Sequence, residues 1–149
     1  MIKNINIKDC IVSFFSGSLL VIILLWFYSL EIHPDVPFRV FVYGTLLEQV
    51  LLFSIALLLY RFGITPLCIG LVGLGFGFID QLSHFQYDWG SATIVTMWMY
   101  TVAGLSYGYF FNIADKQQKK RYFFYAFLGA LLVHGGFNGF LYFLIYLNY

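Results

Sequence analysis

The chain has 149 residues, 61% of them hydrophobic and only 10% charged, with a mean hydropathy of +0.83. An ordinary soluble domain carries about 25% charged residues, so the composition excludes a water-facing globular surface and a disordered chain alike. Eight basic residues against seven acidic ones give a net charge of +1, which leaves no basic footprint for nucleic acid.

Five apolar segments follow one another, each near the ~20 residues that a ~30 Å hydrocarbon core requires. The first covers residues 10–30 and is closed by a polar loop whose prolines, Pro34 and Pro37, block continuation of a helix. Two lysines ahead of it imitate a signal peptide, but the run is too long and lacks a small-residue cleavage site, so a retained first helix is expected. The second covers 38–60 and ends in the short turn before Pro66; the third covers 66–85; the fourth covers 91–114; the fifth covers 122–148 after the basic stretch from Lys116 to Arg121. Continuous apolarity without a period-2 polar face argues for helices over barrel strands. The expected architecture is therefore all-α: a polytopic membrane protein, one compact bundle of about five transmembrane helices, with the lipid bilayer as its first partner.

Five crossings put Lys3, Lys8, Arg61 and the Lys116 to Arg121 cluster on one side, and Glu31, Asp35, Asp88 and a single basic residue, Arg39, on the other. The positive-inside rule makes the first side cytoplasmic, with the N-terminus inside and the C-terminus outside; a bacterial cytoplasmic membrane is the expected setting. Aromatic residues near the segment ends, Trp26, Trp89, Tyr122 and Tyr146 among them, suit an interfacial belt. Gly73 and Gly77, like Gly104 and Gly108, have the four-residue spacing that lets helices approach closely, which places the third and fourth segments at the packed centre. Cys10 and Cys68 have no partner at metal spacing and are expected to be free, buried thiols.

Ionisable residues inside such spans are costly unless they find a partner or line a hydrated cavity, so Glu48, Asp80 and His134 carry the functional argument. Asn138 follows His134 by four residues and stacks on the same helical face. At 1.5 Å per residue, Glu48 lies ~15 Å from the outer start of its helix, while His134 and Asp80 lie ~18 Å and ~21 Å up from the inner starts of theirs. Three helices thus bring two acids and an imidazole to one level. An ionised acid there can take a proton from water while histidine or asparagine donates to a developing oxyanion. The bland alternative is interhelical hydrogen-bond glue. The donor set of one histidine and two acids is thin for a metal, and no metal or cofactor is expected.

The residues around these positions resemble the PrsW family of intramembrane proteases, relatives of the CAAX-protease and bacteriocin-processing enzymes. The resemblance runs from about Leu46 to Phe143. It rests on Leu47-Glu48-Gln49-Val50-Leu51-Leu52 for a Glu-Glu motif, on Gly75-Phe76-Gly77-Phe78-Ile79-Asp80 for a glycine-rich Phe-x-x-x-Glu motif, and on His134-Gly135-Gly136-Phe137-Asn138 for a His-Gly-x-x-Asn motif. Gly108-Tyr109-Phe110-Phe111 resembles the family's Gly-Tyr segment. The resemblance implies that Glu48 activates water, that Asp80 takes the place of its acidic or histidine partner, and that His134 with Asn138 polarises a carbonyl. It also shows departures. Gln49 stands where a second glutamate is expected, Leu52 where a basic residue is, and Tyr100 near the place of an upstream histidine. His84, one turn after Asp80, could supply that imidazole or could simply be interfacial.

A second motif, Phe111-Asn112-Ile113-Ala114-Asp115, resembles a signature of lipoprotein signal peptidases, but here it leads into the basic loop rather than an apolar helix and reads as a helix end. Three functions are compatible with these residues: an intramembrane peptidase acting on membrane peptides, a catalytically degenerate relative that binds a membrane protein or peptide, and a small proton-coupled transporter using Glu48, Asp80 and His134 as a relay.

Overall fold

The computed structural model describes residues 5–31, 37–83 and 91–147, with the side chains at 25, 27–31, 37–44, 83, 91–93, 141–142 and 144–147 left out. Among the described residues the chain forms five α-helices: α1 (Ile7–Glu31), α2 (Pro37–Arg61), α3 (Pro66–Ser83), α4 (Ser91–Gln117) and α5 (Arg121–Leu147). The class is all-α, as the sequence leads one to expect, and α4 runs past the expected end at residue 114 to Gln117.

The helix boundaries have local causes. Asn6 caps α1, its Oδ1 accepting the Lys8 N–H at 3.0 Å. Pro37 and Pro66 occupy the first positions of α2 and α3, where a missing N–H costs nothing. α2 closes in a Schellman motif: Gly63 has φ +87°, the Ile64 N–H reaches the Leu59 carbonyl at 3.1 Å, and the Gly63 N–H reaches that of Tyr60 at 3.0 Å. α4 closes the same way, with Lys119 N–H on the Ala114 carbonyl at 3.1 Å, but the left-handed residue is Gln118, at φ +53°.

α3 packs between α1 and α4, α5 packs on α4, and α2 touches all four other helices. The two tight interfaces are made by glycine. A Cβ added at Gly17 of α1 would strike the Val72 carbonyl of α3, and one at Gly75 would strike the Phe14 carbonyl of α1. On the other face, a Cβ at Gly73 would strike the Tyr100 carbonyl, and one at Gly108 the Pro66 carbonyl. Backbones this close gain dispersion contacts that larger side chains would prevent. The glycines of α5 do not act this way: Gly129, Gly135, Gly136 and Gly139 have nothing within 4 Å of an added Cβ among the described residues.

Two of the described helices are long and apolar enough to cross a membrane by length and composition, α1 through Ile7–Leu24 and α5 through Arg121–Phe140, and α3 carries a shorter apolar stretch, Pro66–Leu82. Five such spans were the expectation. Threonines, tyrosines and glycines lower the hydropathy of α4, and the described side chains of α2 begin only at Thr45. Both cysteines are free, as expected, but only Cys68 is fully buried; Cys10 is half-buried.

The two Schellman closures make a paired prediction. A Cβ at Gly63 would meet nothing within 4 Å among the described residues, so its role is conformational, and Gly63→Ala should lower stability by about 1 kcal/mol; Gln118→Gly should raise it by a similar amount. Thermal unfolding of the purified chain checks both signs.

Candidate functional site

The site grows from the α3–α4 contact outward. Gly77 of α3 makes room for Tyr100 of α4: a Cβ there would come within 3.1 Å of the ring and of the Met97 Cα. Phe76 packs on the same ring, with centroids 4.6 Å apart. Held against α3, Tyr100 turns its hydroxyl toward α2 and donates to Glu48 Oε2 at 2.8 Å. Its ring meets the His134 imidazole edge-on, with centroids 4.9 Å apart. His134 in turn places Nε2 3.6 Å from the same Glu48 oxygen, an ion-pair distance that is too long for a direct hydrogen bond.

The imidazole is fixed from behind by Gln49. Tyr107 O–H donates to Gln49 Oε1 at 2.5 Å, and the amide NH2 faces His134 Nδ1 at 2.7 Å. With the amide so placed Nδ1 accepts, and the matching tautomer carries its proton on Nε2, toward Glu48. Gln49, Tyr107 and His134 are 0%, 0% and 1% exposed, whereas the Glu48 side chain is 16% exposed. The dyad is therefore reached from the carboxylate side. One turn further along α5, Asn138 donates to Thr45 Oγ1 of α2 at 2.8 Å. Thr45 precedes Gln49 by four residues as Asn138 follows His134 by four, so α2 and α5 meet in two polar rungs.

The structure thus brings together Glu48, His134, Gln49 and Tyr100, with Asn138 on the adjoining rung. Asp80 lies four residues after Phe76, one turn further along the α3 face that meets α4. Its described hydrogen bond is from Gln81 Nε2, at 3.3 Å. His84 lies outside the described residues. Tyr107 and Thr45 also belong to the site, though neither is ionisable at neutral pH and neither stands out by residue type. Their signal is periodicity: Tyr107 follows Tyr100 by seven residues, and Thr45, Glu48 and Gln49 share one face of α2.

No protein-family model, curated protein or solved structure matches the chain. The chemistry is therefore read from the geometry, which offers a part-exposed carboxylate, a donor hydroxyl on it, and a buried imidazole with its N–H turned toward the same oxygen.

The Gln49 amide serves two partners at once, which predicts strong coupling. Gln49→Leu leaves the Tyr107 hydroxyl and His134 Nδ1 buried without partners, at about 1–3 kcal/mol for each group. Adding Tyr107→Phe should recover part of that loss, so a double-mutant cycle read by thermal unfolding should be non-additive.

Proposed function

We propose that the chain is an integral membrane protein whose five helices all span the bilayer, and that Glu48 and His134 form a hydrolytic site for a membrane-associated peptide. Exposed apolar side chains on every helix support the first part: Phe15 and Trp26 on α1, Leu58 on α2, Leu67 on α3, Trp98 on α4, and Leu132 and Phe140 on α5. Such a surface suits hydrocarbon rather than water. The basic residues Lys8, Arg61 and Lys116 to Arg121 gather at the end of the bundle that carries the α2–α3 and α4–α5 turns, and in this reading that end is cytoplasmic in a bacterial membrane.

The observation that carries the second part is the Glu48–His134 dyad. In the proposed reaction Glu48 takes a proton from water, the resulting hydroxide attacks the peptide carbonyl, and the His134 Nε2–H donates to the oxygen as it gains charge. Glu48 then returns the proton to the leaving amine. Gln49 holds the imidazole in the tautomer that can donate, and Tyr100 fixes the carboxylate. Asp80 and Asn138 are the flanking acid and amide that the resemblance to PrsW-like proteases implies. The second reading, a non-cleaving relative that binds a membrane partner, draws on Tyr100: a hydroxyl sits on Glu48 near the place where those proteases carry a histidine.

Carbonate washing of membranes tests the setting: the chain stays in the pellet, and release to the supernatant would overturn a membrane-spanning bundle. In proteoliposomes carrying single-span peptides with a fluorophore and a quencher, cleavage is expected to fall by about 100-fold or more in Glu48→Gln, which removes the base. The variant keeps an acceptor for Tyr100, so its melting temperature should hold. Undiminished cleavage would sink the catalytic role of Glu48. Peptide binding without cleavage by either form selects the binding relative, and proton flux lost in Asp80→Asn selects the relay.

A further inference from the structure

A second polar site lies at the basic end of the bundle, away from Glu48. A cleft of about 460 Å³ opens between the α2–α3 turn and the end of α4, lined by Ile5, Tyr60, Ile64, Thr65, Asn112, Asp115 and Lys116. Its volume falls within the roughly 300–1,000 Å³ of small-molecule sites. Tyr60 O–H donates to Asp115 Oδ2 at 2.6 Å and also reaches the Phe111 carbonyl at 3.2 Å, so the carboxylate is held at the lip by a residue of another helix. Lys116 supplies the opposite charge beside it.

Thr65 gives the independent sign of a ligand. It precedes α3 at the N-cap position, its carbonyl accepting the Ile69 N–H at 3.2 Å, and it lines the cleft. The residue is 5% exposed, yet its Oγ1 has no hydrogen-bond partner among the described residues. Burying a hydroxyl unpaired is costly. The same turn holds N–H groups with no partner inside the helix and the positive end of the dipole of an 18-residue helix, an anion-binding arrangement. A bare anion would meet the Asp115 carboxylate as well as Lys116, whereas a ligand that carries a cation beside its anion pairs with both.

We infer that this cleft binds the phosphoethanolamine head group of a phospholipid, its phosphate at Thr65, Lys116 and the α3 N-terminus, and its ammonium at Asp115 and Asn112. The lining chooses the lipid over the free head group: Ile5, Ile64, Pro66 and Leu67 form apolar walls, and Ile5 and Leu67, more than half exposed, lead from the cleft to the outer surface where acyl chains lie. A primary ammonium donates N–H bonds to Asp115 and Asn112, which a choline head group cannot do. The inference rests on the membrane reading but not on hydrolysis.

The test titrates the detergent-solubilised full chain with dioctanoyl phosphatidylethanolamine, phosphatidylcholine and phosphatidylglycerol, and with water-soluble phosphoethanolamine, followed by native mass spectrometry. Phosphatidylethanolamine is expected to bind about tenfold tighter than the other two lipids, the worth of one charge-assisted hydrogen bond. Asp115→Asn should erase its advantage over phosphatidylcholine. Thr65→Val should weaken all the lipids, and Thr65→Ser, which keeps the hydroxyl, should restore them. Thermal unfolding screens the variants, and if Asp115→Asn fails to fold, Asn112→Leu and Lys116→Gln read the two halves of the head group separately. Equal binding of the three lipids, or binding indifferent to Thr65 and Asp115, would overturn the site. Free phosphoethanolamine binding as tightly as the lipid would overturn the lipid assignment. Because cleavage is not read, loss of the hydrolytic reading leaves this result standing, and loss of membrane association in the carbonate wash identifies the other failure.

Discussion

The arrangement of α2, α4 and α5 depends on one buried amide. Gln49 must accept a hydrogen from Tyr107 and give one to His134, and both partners are almost wholly removed from solvent. An amide does both without changing protonation and, unlike a hydroxyl, does so through two separate atoms. A carboxylate at the same place would accept from Tyr107 but would have nothing to give Nδ1 unless protonated. The imidazole would then turn its N–H inward to the carboxylate, and Nε2 would face Glu48 as an acceptor against an acceptor. The presence of glutamine, where the resemblance leads one to expect a second glutamate, is thus a coherent part of this site rather than a gap in it.

The rest of the bundle explains why so few polar contacts suffice. α1, α3 and α4 are pressed together by glycines at Gly17, Gly73, Gly75 and Gly108, where backbone meets backbone and side-chain rotamers add no uncertainty. That tight slab fixes Tyr100 through Gly77 and Phe76. α2 is joined to it differently. Phe53 packs on Tyr107, Phe111 and Phe127 with centroids 5.4–5.5 Å apart, and the polar rungs through Gln49 and Thr45 set the register. Aromatic edges tolerate sliding, whereas a two-sided amide bond does not. Register is what keeps Glu48 opposite His134.

Much of this was legible in the chain. Five segments separated by prolines, glycines and charges gave the helices, because apolarity and helix breakers are local properties. Counting 1.5 Å per residue was enough to bring Glu48 and His134 to one level. The glycine spacing singled out α3 and α4, and it did so because close approach needs small residues on one face. What could not be read was direction around each helix. Tyr107 looked like one more aromatic in a chain with twelve tyrosines, and only its position seven residues after Tyr100, facing a glutamine 58 residues away, marks it as polar machinery. The α5 glycines show the opposite limit: the same residue type makes no close approach there among the described residues. Thr65 was read only as part of a turn, since an unpartnered hydroxyl is a three-dimensional fact.

Exposure orders the chemistry at the dyad. His134 is sealed behind Tyr100, Gln49 and Tyr107, while Glu48 sits at the edge of α2 next to Leu47 and Val50, both of which face outward. A reactant arriving from the bundle surface meets the carboxylate before the imidazole. This suits a base that takes a proton from water and a buried donor that waits for charge to develop, because the donor's N–H is then in a low-dielectric setting where it is worth most. It suits a proton relay less well. A relay through His134 must leave by Nδ1, and Nδ1 is occupied by an amide N–H that would have to give up its own proton. The glutamine that holds the site in register also closes its far side, so in the proposed reaction a proton taken at Glu48 returns the way it came.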